Sequence, residues 1–148
     1  MIVRKAELKD LESIVGFQLA MAKETEHIEL NRSTVEKGVT AVLKDSTKGA
    51  YYVVEKDEYV ISSLLTTYEW SDWRNGTVLW IQSVYVRPEY RRKGVYRRMY
   101  SHIKEQVLND KNLNGIRLYA DKSNHTAHKT YRNLGMSMDH YITFEWLK

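Results

Sequence analysis

The stretch from Thr77 to Ala120 constrains the fold most. "TVLWIQSVYV" (residues 77–86) is rich in β-branched and aromatic residues and predicts a strand. Pro88, the only proline, lies just beyond its end. Then comes "YRRKGVY" (90–96), a loop that leads into a helix with Val95, Met99, Ile103 and Val107 along one face. "IRLYA" (116–120) follows as a short strand. Strand, helix and strand in succession make a crossover, and a crossover makes its two strands parallel.

The rest of the chain is read around that unit. "AYYVVE", "YVISSLLTTYEW" and "TVLWIQSVYV" predict an antiparallel meander, with "KDE" as one turn and Asn75-Gly76 as the hairpin signal of the other. Before it, "MIVRKA" reads as a first strand and Asp10 as the cap of a helix bearing Leu11, Ile14, Val15, Leu19 and Ala22. "KETEHIELNR" reads as a polar connection. Ser33 and Glu36 form a capping box for a second helix. "NHTAHKTYRNLG" predicts a capped helix stopped by Gly135, and "MDHYITFEWL" a closing strand. The expected fold class is α/β (mixed α+β). Its central sheet is mixed and mostly antiparallel, with one β-α-β crossover and helices on both faces. One domain spans residues 1–148, a length that can bury a core.

The net charge is +4, and the block from Arg87 to Arg98 carries the whole surplus: Arg87, Arg91, Arg92, Lys93, Arg97 and Arg98 against Glu89 alone. A nucleic-acid binder more often spreads its charge over a face, whereas one short cluster suits a compact anion. The cluster opens a helix, where free N–H groups and the dipole favour phosphate, and Gly94 lets the anion approach the backbone. Cations at a helix start oppose the dipole, so a purely structural role is disfavoured. The chain has no cysteine, which removes disulfides, thiolate metal sites and a thioester-forming nucleophile. His125 and His128 are three apart without an evident third ligand, so no metal is expected. No leader and no apolar run of the roughly 20 residues that span a bilayer is seen. A cytoplasmic protein is expected, with neither membrane nor nucleic acid as partner.

Read as Arg91-Arg92-Lys93-Gly94-Val95-Tyr96, the loop resembles the Gln/Arg-x-x-Gly-x-Gly/Ala signature of the GNAT superfamily of acyl-CoA-dependent N-acyltransferases. Tyr96 stands where a small residue is usual. "SVYVRPEYR" looks like that family's splayed strand and the turn after it. Asn124, Ala127, Tyr131 and Gly135 match its Asn-x-x-Ala-x-x-x-Tyr-x-x-x-Gly pattern, with Met136 in place of the usual aromatic. The resemblance implies acetyl-CoA as cosubstrate. It implies that Arg91, Arg92, Lys93, Gly94, Val95, Tyr96 and Arg97 bind the pyrophosphate. Main-chain groups of Val84 and Val86 would pair with the pantetheine arm while their side chains pack.

Asn124 reads as a helix cap that, by resemblance, also lies near the cofactor. Tyr131 reads as the general acid: a phenol of pKa about 10 is protonated at neutral pH and can donate to the leaving thiolate. A half-buried helix tyrosine is the plainer reading of the same residue. The strand before the loop offers Gln82 and Ser83, and neither is a base. Glu69 and Glu26 are candidate bases or acceptor contacts, and each also reads as ordinary surface charge. The expected activity is transfer of acetyl from acetyl-CoA to a primary amine, such as a small cationic one, by direct attack in a ternary complex. Two other functions stay open: a non-catalytic acyl-CoA-binding module, and a basic nucleic-acid-binding domain. A homodimer also stays open.

Overall fold

The structure is a computed structural model and describes residues 1–148. The chain divides into two compact units, Met1–Arg117 and Leu118–Lys148.

The first unit holds a five-stranded sheet in the order β1-β2-β3-β4-β5. The strands are β1 (Ile2–Lys5), β2 (Ala50–Lys56), β3 (Tyr59–Ser71), β4 (Gly76–Val86) and β5 (Leu113–Arg117). The first three ladders are antiparallel, and β4 with β5 is parallel, as the crossover demands. Asp57 and Glu58 take φ of 50° and 67°, so the β2–β3 turn uses two left-handed residues that match the twist of its strands. At the β3–β4 turn Gly76 is required for space: a Cβ there would sit 1.8 Å from Asn114 Oδ1 and 3.0 Å from the Asn112 carbonyl oxygen. That close approach lets Thr77 N–H donate to Asn112 O at 2.8 Å, where the parallel ladder begins.

Alternation along β2 shows which face each helix covers. Tyr51 and Val53 pack with Ile14 and Val15 of α1 (Leu11–Glu26) and Val39 of α2 (Arg32–Lys44). Tyr52 points the other way. Its hydroxyl donates to Gln106 Oε1 at 3.0 Å and its ring meets His102 edge-on, both on α3 (Val95–Asn109). Helices thus lie on both faces of the sheet. Ile14, Val15, Val53, Val54, Leu64, Met99 and Ile103 are fully enclosed. Each such side chain contributes about 1.5–3 kcal/mol of burial.

Several boundaries differ from the sequence reading. α1 runs on to Glu26, so "KETE" is helical and not connection; Lys and Glu are good helix formers, and the helix stops only where His27 turns left-handed at φ 55°. Asp10 does not cap α1. Its carboxylate takes the Glu7 N–H at 2.8 Å and a two-pronged Arg4 guanidinium at 2.8 and 2.9 Å, tying β1 to the turn Leu8–Asp10. α2 is capped by Asn31, whose Oδ1 accepts from Thr34 N–H at 2.9 Å, two residues before the expected Ser33. β5 is Leu113–Arg117, earlier than "IRLYA", because its ladder with β4 starts at Thr77↔Leu113 and ends at Trp80↔Arg117.

The second unit holds α4 (His125–Asn133) and a C-terminal segment with neither helix nor strand. Asn124 Oδ1 accepts from Ala127 N–H at 3.1 Å, as a cap should. Gly135 takes φ 86° and ends the helix, with Met136 N–H bonded back to Tyr131 O at 3.1 Å. "MDHYITFEWL" forms no strand. Strand propensity describes a side chain's fit to a pleated surface, and a strand needs a ladder partner that propensity cannot supply. No helix is long and apolar enough to cross a membrane.

Candidate active site

β4 frames the site. Ser63 and Leu65 of β3 face Tyr85 and Gln82, so β4 carries one extra residue there. Ser83 absorbs it at φ 51°, a β-bulge that bends the strand. The β4–β5 ladder stops at Trp80, and Ile81 to Val86 continue past the last pair. That length of main chain can hydrogen-bond an extended ligand as a further strand would. Val84 and Val86 lie on it, half-buried. The Val86 carbonyl is already engaged: it accepts from Arg91 Nε at 2.9 Å.

The basic loop follows. Pro88–Tyr90 make a single 3₁₀ turn, and α3 starts at Val95. Arg92 and Gly94 take φ of 59° and 76°, with Lys93 between them on the negative side. Backbone that alternates in this way can turn successive N–H groups toward one point, a geometry suited to an anion. Arg98 N–H donates to the Gly94 carbonyl at 3.1 Å, so the N–H groups of Val95, Tyr96 and Arg97 precede the first helical bond. Gly94 provides no side-chain cap, and a Cβ placed on it would meet nothing within 4 Å. The helix end is therefore open in front of those donors. Val95 itself is buried and anchors the turn, and Tyr96 stacks obliquely toward Tyr100 at 6.3 Å.

The loop's cations divide in two. Arg91 turns away from the helix end: one guanidinium nitrogen meets Glu24 Oε2 at 2.7 Å, and the group lies over the Tyr85 ring at 5.4 Å. Arg92, Lys93, Arg97 and Arg98 are exposed and pair with no carboxylate.

Glu24 sits at the junction of α1, β4 and the loop. It accepts the Tyr85 hydroxyl at 3.0 Å as well as Arg91. The Arg91 hydrogen bond, supported by Tyr85, holds its carboxyl below the usual range. Burial, then Glu24, pushes the Tyr85 phenol up, so it stays a donor. Phe17 stacks on Tyr85 at 5.1 Å, and the two rings wall a cleft of about 420 Å³ between α1 and β4, floored by Gly16 and Ala20. Glu24, Tyr85 and Arg91 are more than 60 residues apart in part, and no spacing signal could have joined them.

Glu69 lies on β3 opposite Val78. It accepts from Trp80 Nε1 at 2.9 Å and pairs with the Arg117 guanidinium. The Trp80 hydrogen bond and then Arg117 keep its carboxyl below the usual range, which makes it a weak base. Glu26 is exposed on the last turn of α1. Gln82 donates to Thr67 Oγ1 at 2.6 Å. In the second unit, Tyr131 is half-buried on α4, and burial raises its phenol pKa, so it remains protonated through neutral pH. His128 Nε2 is held against the Asp121 carbonyl at 2.9 Å, and no three potential ligands converge on a metal position.

The mixed sheet, the bulge in β4 and the uncapped helix start after it agree with the GNAT fold. The chain belongs to the acetyltransferase (GNAT) family, whose model matches residues 16–136. It is 44% identical to a possible acetyltransferase from Clostridium difficile 630, over 99% of this chain and 97% of that one, with a TM-score of 0.93. A probable acetyltransferase of 19% identity shares the fold at a TM-score of 0.86, over 100% and 97% of the two chains. A predicted acetyltransferase from Clostridium acetobutylicum, solved with acetyl-CoA, does so at 0.75 with 19% identity over 97% and 95%. No curated protein matches the chain in sequence.

Proposed function

We propose that this protein moves an acetyl group from acetyl-CoA to a primary amine, with a small cationic amine as acceptor, by direct attack in a ternary complex. The observation that carries this reading is the start of α3: three N–H groups with no helical acceptor, an uncapped Gly94 at positive φ, and four exposed cations. Such an end favours a pyrophosphate. The bulged β4 just before it offers main chain to the amide groups of the pantetheine arm. The family of the chain and a neighbour solved with acetyl-CoA support the donor.

In the reaction the amine nitrogen forms a bond to the thioester carbonyl carbon, the C–S bond breaks, and the amide leaves with CoA. Before attack, an ammonium of pKa about 10.4 must lose one proton to water, and the nitrogen gives up a second as the amide forms. Afterwards the thiolate must gain one, and Tyr131, kept protonated by burial, is suited to supply it. Direct attack suits a chain without cysteine. Of the two carboxylates considered for the acceptor, Glu69 is neutralised by Arg117. Glu26 enters no ion pair and is the better placed to attract a cation.

The test joins binding and turnover. CoA raises the melting temperature of the parent, since a ligand of the native state stabilises it. Gly94→Glu, which puts a carboxylate at the helix end, removes that shift. Equal shifts in both proteins would refute the pyrophosphate site. A screen of acetyl-CoA turnover over amines, with Glu26→Gln beside the parent, then tests the acceptor. A best substrate of net negative charge overturns the cationic assignment, and CoA binding without turnover of any amine favours a binding module.

A further inference from the structure

We propose that the protein takes its acceptor as the neutral amine, received by Oε1 of Gln82 beside the β4 bulge, and that it therefore selects α-amino groups over alkyl amines of the lysine type. This deepens the acetyl-transfer reading and rests on it. The first observation is where Gln82 stands. It directly precedes Ser83, whose φ of 51° makes the bulge, and it lies beyond Trp80↔Arg117, the last pair with β5. By register it is opposite Leu65, which packs with Ile14 and Val15 of α1, so its side chain is on the α1 face of the sheet. A polar side chain thus stands on the stretch of β4 whose main chain can pair with an extended ligand.

The second observation is how the amide is held. Nε2 donates to Thr67 Oγ1 at 2.6 Å, which leaves Oε1 as the end turned from Thr67. Gln82 is half-buried, and Oε1 takes no hydrogen bond from the chain. An amide oxygen only accepts, so its partner is an N–H or O–H donor. It can orient an amine, but it is neutral and does not keep a proton at neutral pH.

The third observation is the charge on the elements packed against β4. From β3 comes Glu69, bonded to Trp80 and paired with Arg117 of β5. From α1 come Glu24, bonded to Tyr85 and paired with Arg91, and Glu12, paired with Arg32. Arg87, further along the chain, lies over Phe17. The Trp80 hydrogen bond and then Arg117 hold Glu69 below the usual carboxylate range, and the Arg91 hydrogen bond does the same for Glu24. Each of these carboxylates already has its cation, and neither Glu69 nor Glu24 is a strong enough base to strip an ammonium. An ammonium can donate to Oε1 as well, but it has no lone pair with which to attack.

The amine gives its first proton to water in solution and arrives neutral. Its nitrogen bonds to the thioester carbonyl carbon, the C–S bond breaks, and the nitrogen releases its second proton to water as the amide forms. The rate then follows the fraction of acceptor present as free amine. For an α-amino group of pKa about 7.7–8.0, roughly one molecule in ten is free at pH 7, against roughly one in two thousand for an alkyl amine of pKa about 10.4. Free amines of equal intrinsic reactivity would therefore be separated by about 200-fold.

The experiment uses the full chain with acetyl-CoA and two acceptors, glycinamide for the α-amino class and propylamine for the alkyl class. The value of kcat/KM for each is followed from pH of about 6 to about 10.5. Each curve should rise with a slope of about one and break at the pKa of its own amine, and glycinamide should be favoured by about 100-fold or more at pH 7. A side-chain base would instead give both curves the same lower break. Gln82→Leu should lower kcat/KM for glycinamide by about 10-fold while the CoA-induced melting shift stays at the parent value. Gln82→Glu, which adds a carboxylate at that point, should bring the two breaks together. Should the variants fail to fold, the two curves of the parent still decide. A shared break in the parent, a preference for propylamine at pH 7, or an unaltered rate in Gln82→Leu overturns this inference and leaves acetyl transfer standing. A parent that CoA stabilises but that acetylates no amine overturns the acetyl-transfer reading, and this inference with it.

Discussion

Asp10 shows how one side chain can hold a strand and a helix start together. It is 3% exposed and takes three hydrogen bonds, two from Arg4 and one from the Glu7 backbone. Burial alone would raise its carboxyl pKa, but Arg4 and the Glu7 N–H outweigh burial and hold it low. A depressed carboxylate stabilises the fold above its unfolded pKa of about 3.9, and the contribution disappears as pH falls through the folded value. Asp10→Asn should therefore cost about 1–3 kcal/mol in urea unfolding at pH 7. Parent and variant should converge as the solution is taken below pH of about 3.9. An unchanged gap at low pH would show that shape, and not charge, is what Asp10 supplies. Tyr131 is tested at the same scale. Tyr131→Phe keeps the ring and removes the donor, so turnover should fall by up to about 10²–10⁴-fold while CoA affinity holds. An unaltered rate would assign the proton to another group.

At the scale of elements, the join between α1, β4 and the α3 loop rests on Glu24, Tyr85 and Arg91. Arg91 is 44% exposed and Glu24 40%, so the pair contributes modestly. A double-mutant cycle with Glu24→Gln and Arg91→Ala should return a coupling of about 0.2–1 kcal/mol that shrinks with salt. Because Arg91 is committed to Glu24 and to the Val86 carbonyl, its loss should reduce CoA affinity less than the loss of Arg92. The reverse order in titration calorimetry would mean that Arg91 swings to the phosphate on binding. This element also shows what the sequence could convey. The meander, the crossover, the Asn124 cap and the Gly135 stop are local patterns, and each was legible. The end of α1 was not, since charged residues suit a connection and a last helical turn equally. Arg91 reads in the sequence as a cation of the anion loop, whereas the structure pairs it with Glu24, 67 residues away. The segment after Gly135 read as a strand on composition alone, and composition does not say whether a ladder is there to receive it.

For the whole molecule, the question is what its surplus charge attracts. Six cations between Arg87 and Arg98 account for the net +4. Two of them are spent inside the fold: Arg87 donates to the Val60 carbonyl at 3.0 Å and lies over Phe17, and Arg91 holds Glu24. Arg92, Lys93, Arg97 and Arg98 remain for an anion outside the chain. They are grouped at one helix end, which matches a pyrophosphate better than the evenly spaced phosphates of a duplex. Each phosphate neutralised on double-stranded DNA contributes about −0.9 to the slope of log K against log salt. If all four cations engaged DNA, the slope would reach only about −4, and binding at physiological salt would be weak and indifferent to sequence. CoA should displace the DNA, because both would occupy the same helix end. Fluorescence anisotropy of a labelled duplex across a salt series, with and without CoA, measures both quantities. A slope much steeper than −4, or tight binding that CoA leaves untouched, would mean that a second basic surface exists and that nucleic acid is a partner in its own right.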